Sequence, residues 1–129
     1  MENKIILGLV GTLASGKGAV KQYLTEKYQA QGLKFSDVFR DVLNRIDVPT
    51  TRENLQKVST ALRSSFGEDL LSRVIVSDVQ KINSSVVIVD GIRRLSDIEF
   101  LKDMPNFFVI AVDADSKLRY ERMKLRNEN

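Results

Sequence analysis

The segment that most restricts this chain is Gly11-Thr-Leu-Ala-Ser-Gly-Lys17-Gly18, which fits the spacing G-x-x-x-x-G-K. It follows the apolar run Ile5–Val10 and leads into a helical pattern, Lys17 to Tyr28, with Val20, Tyr23, Leu24 and Tyr28 on one side. Phosphate oxygens need many donors at close range. Glycines let backbone amides turn inward without a Cβ in the way, and a helix N-terminus adds its dipole. A strand, this loop and a helix in that order form a phosphate cradle, with Lys17 opposite the β and γ phosphates of a nucleoside triphosphate. The expected ligand is ATP. Its cradle is Gly11, Thr12, Leu13, Ala14, Ser15, Gly16, Lys17, Gly18 and Ala19. The position after the lysine usually carries a Ser or Thr hydroxyl for Mg²⁺. Here it is Gly18, so magnesium must be held by phosphates, water and acidic residues.

Composition narrows the chemistry further. The chain has 129 residues, enough for one domain and one core. It contains no cysteine and no histidine, which removes disulfides, thiolate nucleophiles, imidazole bases and Cys/His zinc sites. Catalysis is left to Lys, Arg, Asp, Glu, hydroxyls and backbone amides. The net charge of +3 is too mild to argue for nucleic acid. No apolar run approaches the roughly 20 residues of a membrane span, and the N-terminal stretch lacks signal-peptide features. The expectation is a cytoplasmic protein with no membrane or specific nucleic-acid partner.

Three runs read as buried parallel strands: Ile5–Val10, Val86–Val89 and Phe107–Val112. Leu33–Ser36 is a weaker fourth, after Gly32 as a helix stop. A helix is expected over Thr51 to Phe66, with Thr50 as N-cap, Glu53 completing a capping box, a face of Leu55, Val58, Leu62 and Phe66, and Gly67 closing it. Leu70 to Ile82 repeats Leu71, Val74, Ile75, Val79 and Ile82 at helical spacing. Ser96 to Lys102 reads as a short helix, and Asp115 caps a basic helix from Ser116 to about Arg126. Strands alternating with helices predict a three-layer α/β sandwich with a mostly parallel sheet.

Val86–Val89 runs into Asp90-Gly91-Ile92-Arg93-Arg94. A carboxylate at the tip of an apolar strand suits magnesium, and Asp90 is the candidate metal residue. Arg93 and Arg94 then stand at the carboxyl ends of the strands, where ligands of open α/β sheets bind, and guanidinium suits phosphate. The competing account makes Asp90 a turn cap and the arginines solvated. Asp37 and Arg40, in Phe35–Arg40 at the entry to a helix, are either a cap with a surface residue or part of the site. Arg63 and Arg73 flank Gly67-Glu68-Asp69 as salt-bridge partners or site residues. Arg119, Arg122 and Arg126 form one basic stripe, solvated or reaching a phosphate.

Together these segments resemble the P-loop nucleotide kinases, the adenylate-kinase and dephospho-coenzyme-A-kinase group. Gly16-Lys17-Gly18 is similar to the GKG of adenylate kinases, and Asp90–Arg94 looks like their DGFPR, whose arginine grips the acceptor phosphate. The likeness extends to archaeal adenylate-kinase-related and dephospho-CoA-kinase-like proteins. Their pattern appears here as Ser15–Gly18, Ser36–Arg40, Leu62–Asp69 and Asp90–Arg93. The resemblance covers nearly the whole chain. It departs at Ala19, where adenylate kinases have threonine, and in the lid, last strand and closing helix that the family carries further on. The expectation is therefore a single domain, C-terminally incomplete or reduced, with an open edge beside Phe107–Val112 able to pair with another copy.

The resemblance implies an ATP-dependent kinase for a nucleotide-like small molecule, with a nucleoside monophosphate or dephospho-CoA as acceptor. Lys17 and the loop would hold ATP and Asp90 would organise Mg²⁺. Asp37, Arg40, Arg63, Arg93 and Arg94 would meet the acceptor, and Arg122 or Arg126 the transferred phosphoryl group. Asp37 is a general base if the acceptor is a hydroxyl, and a cap if it is a phosphate. The rival expectation is a regulatory or assembly ATPase with little transferase activity. No N-K-x-D stretch supports a GTPase.

Overall fold

A computed structural model of the protein describes residues 4–11 and 16–112. Among these residues the sheet has four strands, all parallel: β1 (Ile5–Gly11), β2 (Gln31–Lys34), β3 (Val86–Asp90) and β4 (Phe107–Val112). Their order is β2-β3-β1-β4. The helices are α1 (Lys17–Tyr28), α2 (Phe35–Arg45), α3 (Arg52–Phe66) and α4 (Leu70–Lys81), with two 3₁₀ turns at Leu95–Ile98 and Leu101–Asp103. Central strands read as unbroken apolar runs because both faces are covered, and Val86 to Val89 are all buried.

Alternation along the strands assigns the two layers. Ile6, Val87 and Val89 face a core built with Phe35, Phe39, Leu71, Ile75 and Val79, against which α3 packs Leu55, Val58 and Leu62. Leu9, Val86 and Ile88 face the other way, toward Val20 and Leu24 of α1. Asp90 continues the parity of Val86 and Ile88, and pairs in register with Leu9. Its carboxylate therefore points to the α1 side, where the phosphate loop ends.

The three-layer α/β architecture expected from the sequence is present, with local corrections. The weak strand begins at Gln31 and ends at Lys34, not Leu33–Ser36. Gly32 lies inside it and stops nothing. α1 closes on Gln29 (φ 57), whose N–H bonds to Thr25 O at 3.0 Å, while the Ala30 N–H reaches Leu24 O. Phe35 and Ser36 open α2, which buries Phe35, Phe39 and Leu43 at i, i+4 and i+8. Asp37 is thus not the N-cap of that helix; Lys34 occupies the position, and Asp37 sits in the first turn. The cap of α3 is Thr51 rather than Thr50: Thr51 Oγ1 accepts the Asn54 N–H at 3.1 Å. Asn54 Nδ2 also reaches back to Pro49 O at 2.9 Å, and Glu53 instead pairs with Lys57. Tyr23, Tyr28 and Phe66 are exposed rather than on buried faces. Ser96–Lys102 divides into the two 3₁₀ turns. The segment from Asp115 to Arg126 lies outside the described residues. Among the described residues β4 stands at a sheet edge, exposing Phe108 and Val109, and no helix is long and apolar enough to cross a membrane.

Candidate active site

β1 delivers the chain at Gly11 and α1 takes it up at Lys17. Gly16 precedes the helix with φ 110, a left-handed conformation that a side chain would resist. No side chain caps α1 and its first turn has no acidic residue. The leading N–H groups thus meet no competing carboxylate, which suits a bound anion. Thr12 to Ser15 lie outside the described residues; of the expected cradle, Gly11 ends β1, Gly16 precedes α1, and Lys17, Gly18 and Ala19 form its first turn.

Lys17 opens the helix, and its Nζ lies 3.4 Å from Asp90 Oδ1. Lys21, one turn on, donates to Asp90 Oδ2 at 3.1 Å, and the Gly91 amide donates to Oδ1 at 2.8 Å. Burial pushes the Asp90 carboxyl up. The Lys21 hydrogen bond, the charges of Lys17 and Lys21 and the Gly91 amide together outweigh it, so its pKa lies below the ordinary value. Asp90 is therefore an ionised carboxylate beside Lys17, although 73 residues separate them in sequence. Lys21 was not anticipated. The signal was its place at i+4 from Lys17, the next position on the same helix face.

A nucleotide fits this end, because the helix start offers donors with no acidic side chain in its first turn. Among the described residues no group of three or more acidic side chains could hold a metal. One ionised carboxylate suits a magnesium ion that keeps its waters and binds substrate phosphates, so Asp90 fits that ion as its protein ligand. Bound there, magnesium would neutralise phosphate charge.

Beyond Asp90 the chain turns at Gly91 (φ 88) and enters a second feature. A cavity of about 310 Å³ opens between α2, α3 and the turn from Gly91 to Asp97. Phe35, Phe39, Leu55 and Leu71 form its apolar wall, with Ser36, Gln56 and Ser59 as neutral polar groups. Arg52, Arg63, Arg93 and Arg94 supply four guanidiniums, and Asp97 the one lining carboxylate. Arg52 and Arg93 make no ion pair with a described residue. Arg94 Nη1 donates to Glu68 Oε2 at 3.0 Å.

Arg63 is the unusual member. It is 8% exposed, and its Nε and Nη1 make no hydrogen bond. Its nearest charges are Asp97 at 3.6 Å and Glu68 at 3.8 Å, beyond hydrogen-bonding distance. The guanidinium stands 5.9 Å from the Phe39 ring centroid. Asp97 is fixed differently: its Oδ2 accepts the Arg93 and Arg94 amides at 3.0 and 3.2 Å, while Oδ1 has no hydrogen-bond partner. A buried guanidinium with unmet N–H groups beside a cavity calls for an anionic ligand.

The structure thus brings Arg63, Arg93 and Arg94 together. It does not bring in Asp37 and Arg40. Those two pair with each other at 3.0 Å on α2, with Arg40 also donating to Ser36 Oγ, and neither lines the cavity. Arg73 is held by Asp69 and by Phe66 O, as a salt-bridged helix face would have it. Arg119, Arg122 and Arg126 lie outside the described residues. Arg52, Glu68 and Asp97 were missed as contributors. Asp97 follows Arg93 by four residues with no motif to mark it.

This architecture defines a class, the P-loop NTPase domains of kinase-like build. A family model described as an AAA domain matches residues 10–129, so the chain belongs to that family. It is similar to the UPF0200 protein of Thermococcus kodakarensis, at 30% identity over 97% of this chain and 70% of that protein. The UPF0200 protein of Methanoculleus marisnigri is 27% identical over 96% of this chain and 68% of its own length. That of Thermococcus sibiricus is 28% identical, with 97% and 68% covered. The chain therefore spans about two thirds of the length of these relatives. Among solved structures, TT1252 from Thermus thermophilus superposes with a TM-score of 0.56 at 15% identity, covering 98% of this chain and 74% of that one, a likeness of fold. The sequence resemblance to the P-loop nucleotide kinases holds at the level of family and fold.

Proposed function

We propose that this chain is an ATP-dependent phosphotransferase whose acceptor is a nucleotide-like small molecule bearing an anionic group, a nucleoside monophosphate or dephospho-CoA. One observation carries the reading. The strand-end carboxylate beside Lys17 and the arginine cavity share a single turn, since Asp90 pairs with Lys17 and Gly91 lines the cavity. A protein that only binds or hydrolyses a nucleotide needs the first half. An arginine-rich cavity adjoining it suits a second, anionic reactant, and its volume is at the lower end of small-molecule sites.

In this reading the α1 N-terminus and Lys17 hold the triphosphate and Asp90 positions the magnesium. Arg63, Arg93 and Arg94 hold the acceptor, and Arg122 or Arg126 reaches the transferred group. Catalysis is positioning plus charge stabilisation, as is general for phosphoryl transfer. The second reading, a regulatory or assembly ATPase, draws on Gly18, which leaves no hydroxyl after Lys17.

A coupled assay separates them, using ATP, a panel of nucleoside monophosphates and dephospho-CoA with the full-length gene product. The expected result is acceptor-dependent ADP release, with Arg93→Ala raising the acceptor KM or lowering kcat far more than it changes ATP affinity. ATP turnover indifferent to every acceptor refutes the transferase and favours the second reading.

A further inference from the structure

Glu68 lies in the turn between α3 and α4, immediately after Gly67, and has no part in the proposed reaction. One of its oxygens, Oε2, is 3.0 Å from Arg94 Nη1 and 3.8 Å from Arg63 Nη1. Both guanidiniums line the cavity. A single carboxylate oxygen thus hydrogen-bonds one of the two arginines that the proposed acceptor would need and lies within ion-pair reach of the other. We propose that Glu68 is the resident counter-anion of the arginine cavity, and that an incoming phosphate-bearing acceptor displaces it. This rests on the cavity being the acceptor site.

The two carboxylates near these arginines differ in freedom. Asp97 cannot yield, because two backbone amides hold it and its side chain is only 2% exposed. Glu68 has a side chain 64% exposed, and its partner Arg94 is 50% exposed. An ion pair open to water to that degree is weak and easily exchanged. Arg63 is too far from Glu68 for a hydrogen bond and keeps unmet donors, so the resident carboxylate under-serves it. A phosphate carries more charge and more acceptor oxygens than one carboxylate, so it satisfies both guanidiniums where Glu68 satisfies one. Glu68 therefore acts as a specificity-determining residue. A ligand with a single weak acceptor gains little by replacing it, whereas a phosphate dianion gains clearly.

The test is calorimetric titration of inorganic phosphate into protein saturated with ADP, which keeps the phosphate loop filled. Wild type, Glu68→Gln and Arg93→Ala are compared, each with its melting temperature. Glu68→Gln keeps shape and removes the competing charge, and is expected to bind phosphate about two- to fivefold more tightly, the range an exposed ion pair allows. It should do so without becoming more stable, which a purely structural residue would not achieve. Arg93→Ala is expected to lose phosphate binding. If it does, while Glu68→Gln binds phosphate as wild type or more weakly, the displacement idea is overturned and the cavity assignment stands. If Arg93→Ala binds phosphate as wild type, or wild type binds none, the cavity assignment falls and the role of Glu68 with it.

Discussion

Arg63→Met removes a buried charge and keeps much of the apolar volume, so it isolates the electrostatics of one residue lining the cavity. The attraction of Arg63 to Asp97 across 3.6 Å is about 4–5 kcal/mol at an effective dielectric of 20. Holding a guanidinium out of water costs several kcal/mol. With no hydrogen bond on Nε or Nη1 to offset that cost, the two nearly cancel. The net effect of the substitution then comes from the stranded Asp97. Breaking a buried pair costs roughly 3–5 kcal/mol, but Asp97 keeps two amide donors on Oδ2. A loss of about 2–3 kcal/mol is therefore expected for Arg63→Met. Denaturant unfolding measures it, and adding Asp97→Asn should restore most of it, because the unpaired charge is then gone. Phosphate titration on the ADP-saturated protein should show binding lost in both the single and the double variant. The reasoning is refuted if Arg63→Met is as stable as wild type, or if it binds phosphate with unchanged affinity. A double variant less stable than Arg63→Met alone would equally refute the account of Asp97.

Lys17→Ala should lose most ATP affinity by calorimetry while remaining folded, because Lys17 opens α1 and contributes to no buried cluster; unchanged affinity in a folded variant refutes the phosphate-loop assignment. Asp37→Asn should leave kcat within a few-fold of wild type with either class of acceptor, since Asp37 pairs with Arg40 away from the cavity; a loss of roughly 10²–10⁴-fold with a hydroxyl acceptor such as dephospho-CoA would restore it as a general base. The folded Asp90 carboxyl is held below its ordinary value of 3.8, so its stabilisation is complete above that value and lost as pH falls through the folded one. The melting-temperature gap between wild type and Asp90→Asn should therefore shrink in acid, and a gap that widens below pH 4 would contradict the pairing with Lys17 and Lys21.

What could be read from the sequence was whatever local chemistry dictates. The phosphate loop is a backbone requirement written in glycines, and β3 with Asp90-Gly91 is an apolar run ended by a charge. The helix from Leu70 was legible because its apolar spacing leaves no competing period. Errors arose where two neighbouring residues offered the same chemistry. Thr50 and Thr51 are both competent caps, and the choice fell to Thr51 once Asn54 bonded Pro49 O. Gln29 took the left-handed position expected of Gly32, because the turn places Ala30 in the core. The cavity was half legible. Arg93 and Arg94 follow a motif and Arg63 was a candidate, but Arg63 meets Glu68 and Asp97 only through the packing of α3 and α4 on the sheet, and Lys21 reaches Asp90 only because β3 lies beside β1.

The thin seat of α1 has a consequence for exchange with solvent. Among the described residues this helix presses only Val20 and Leu24 into the apolar layer and buries no residue, whereas α4 buries four, Leu71, Ser72, Ile75 and Val79. Few buried contacts mean a low free energy of local opening. The amides of α1 should therefore exchange with deuterium ahead of those of α4 in the free protein. A ligand gripped by its first turn would slow them selectively, since binding adds its free energy to the closed form alone. The element that carries Lys17 is held lightly by the fold, and the nucleotide would complete its anchoring.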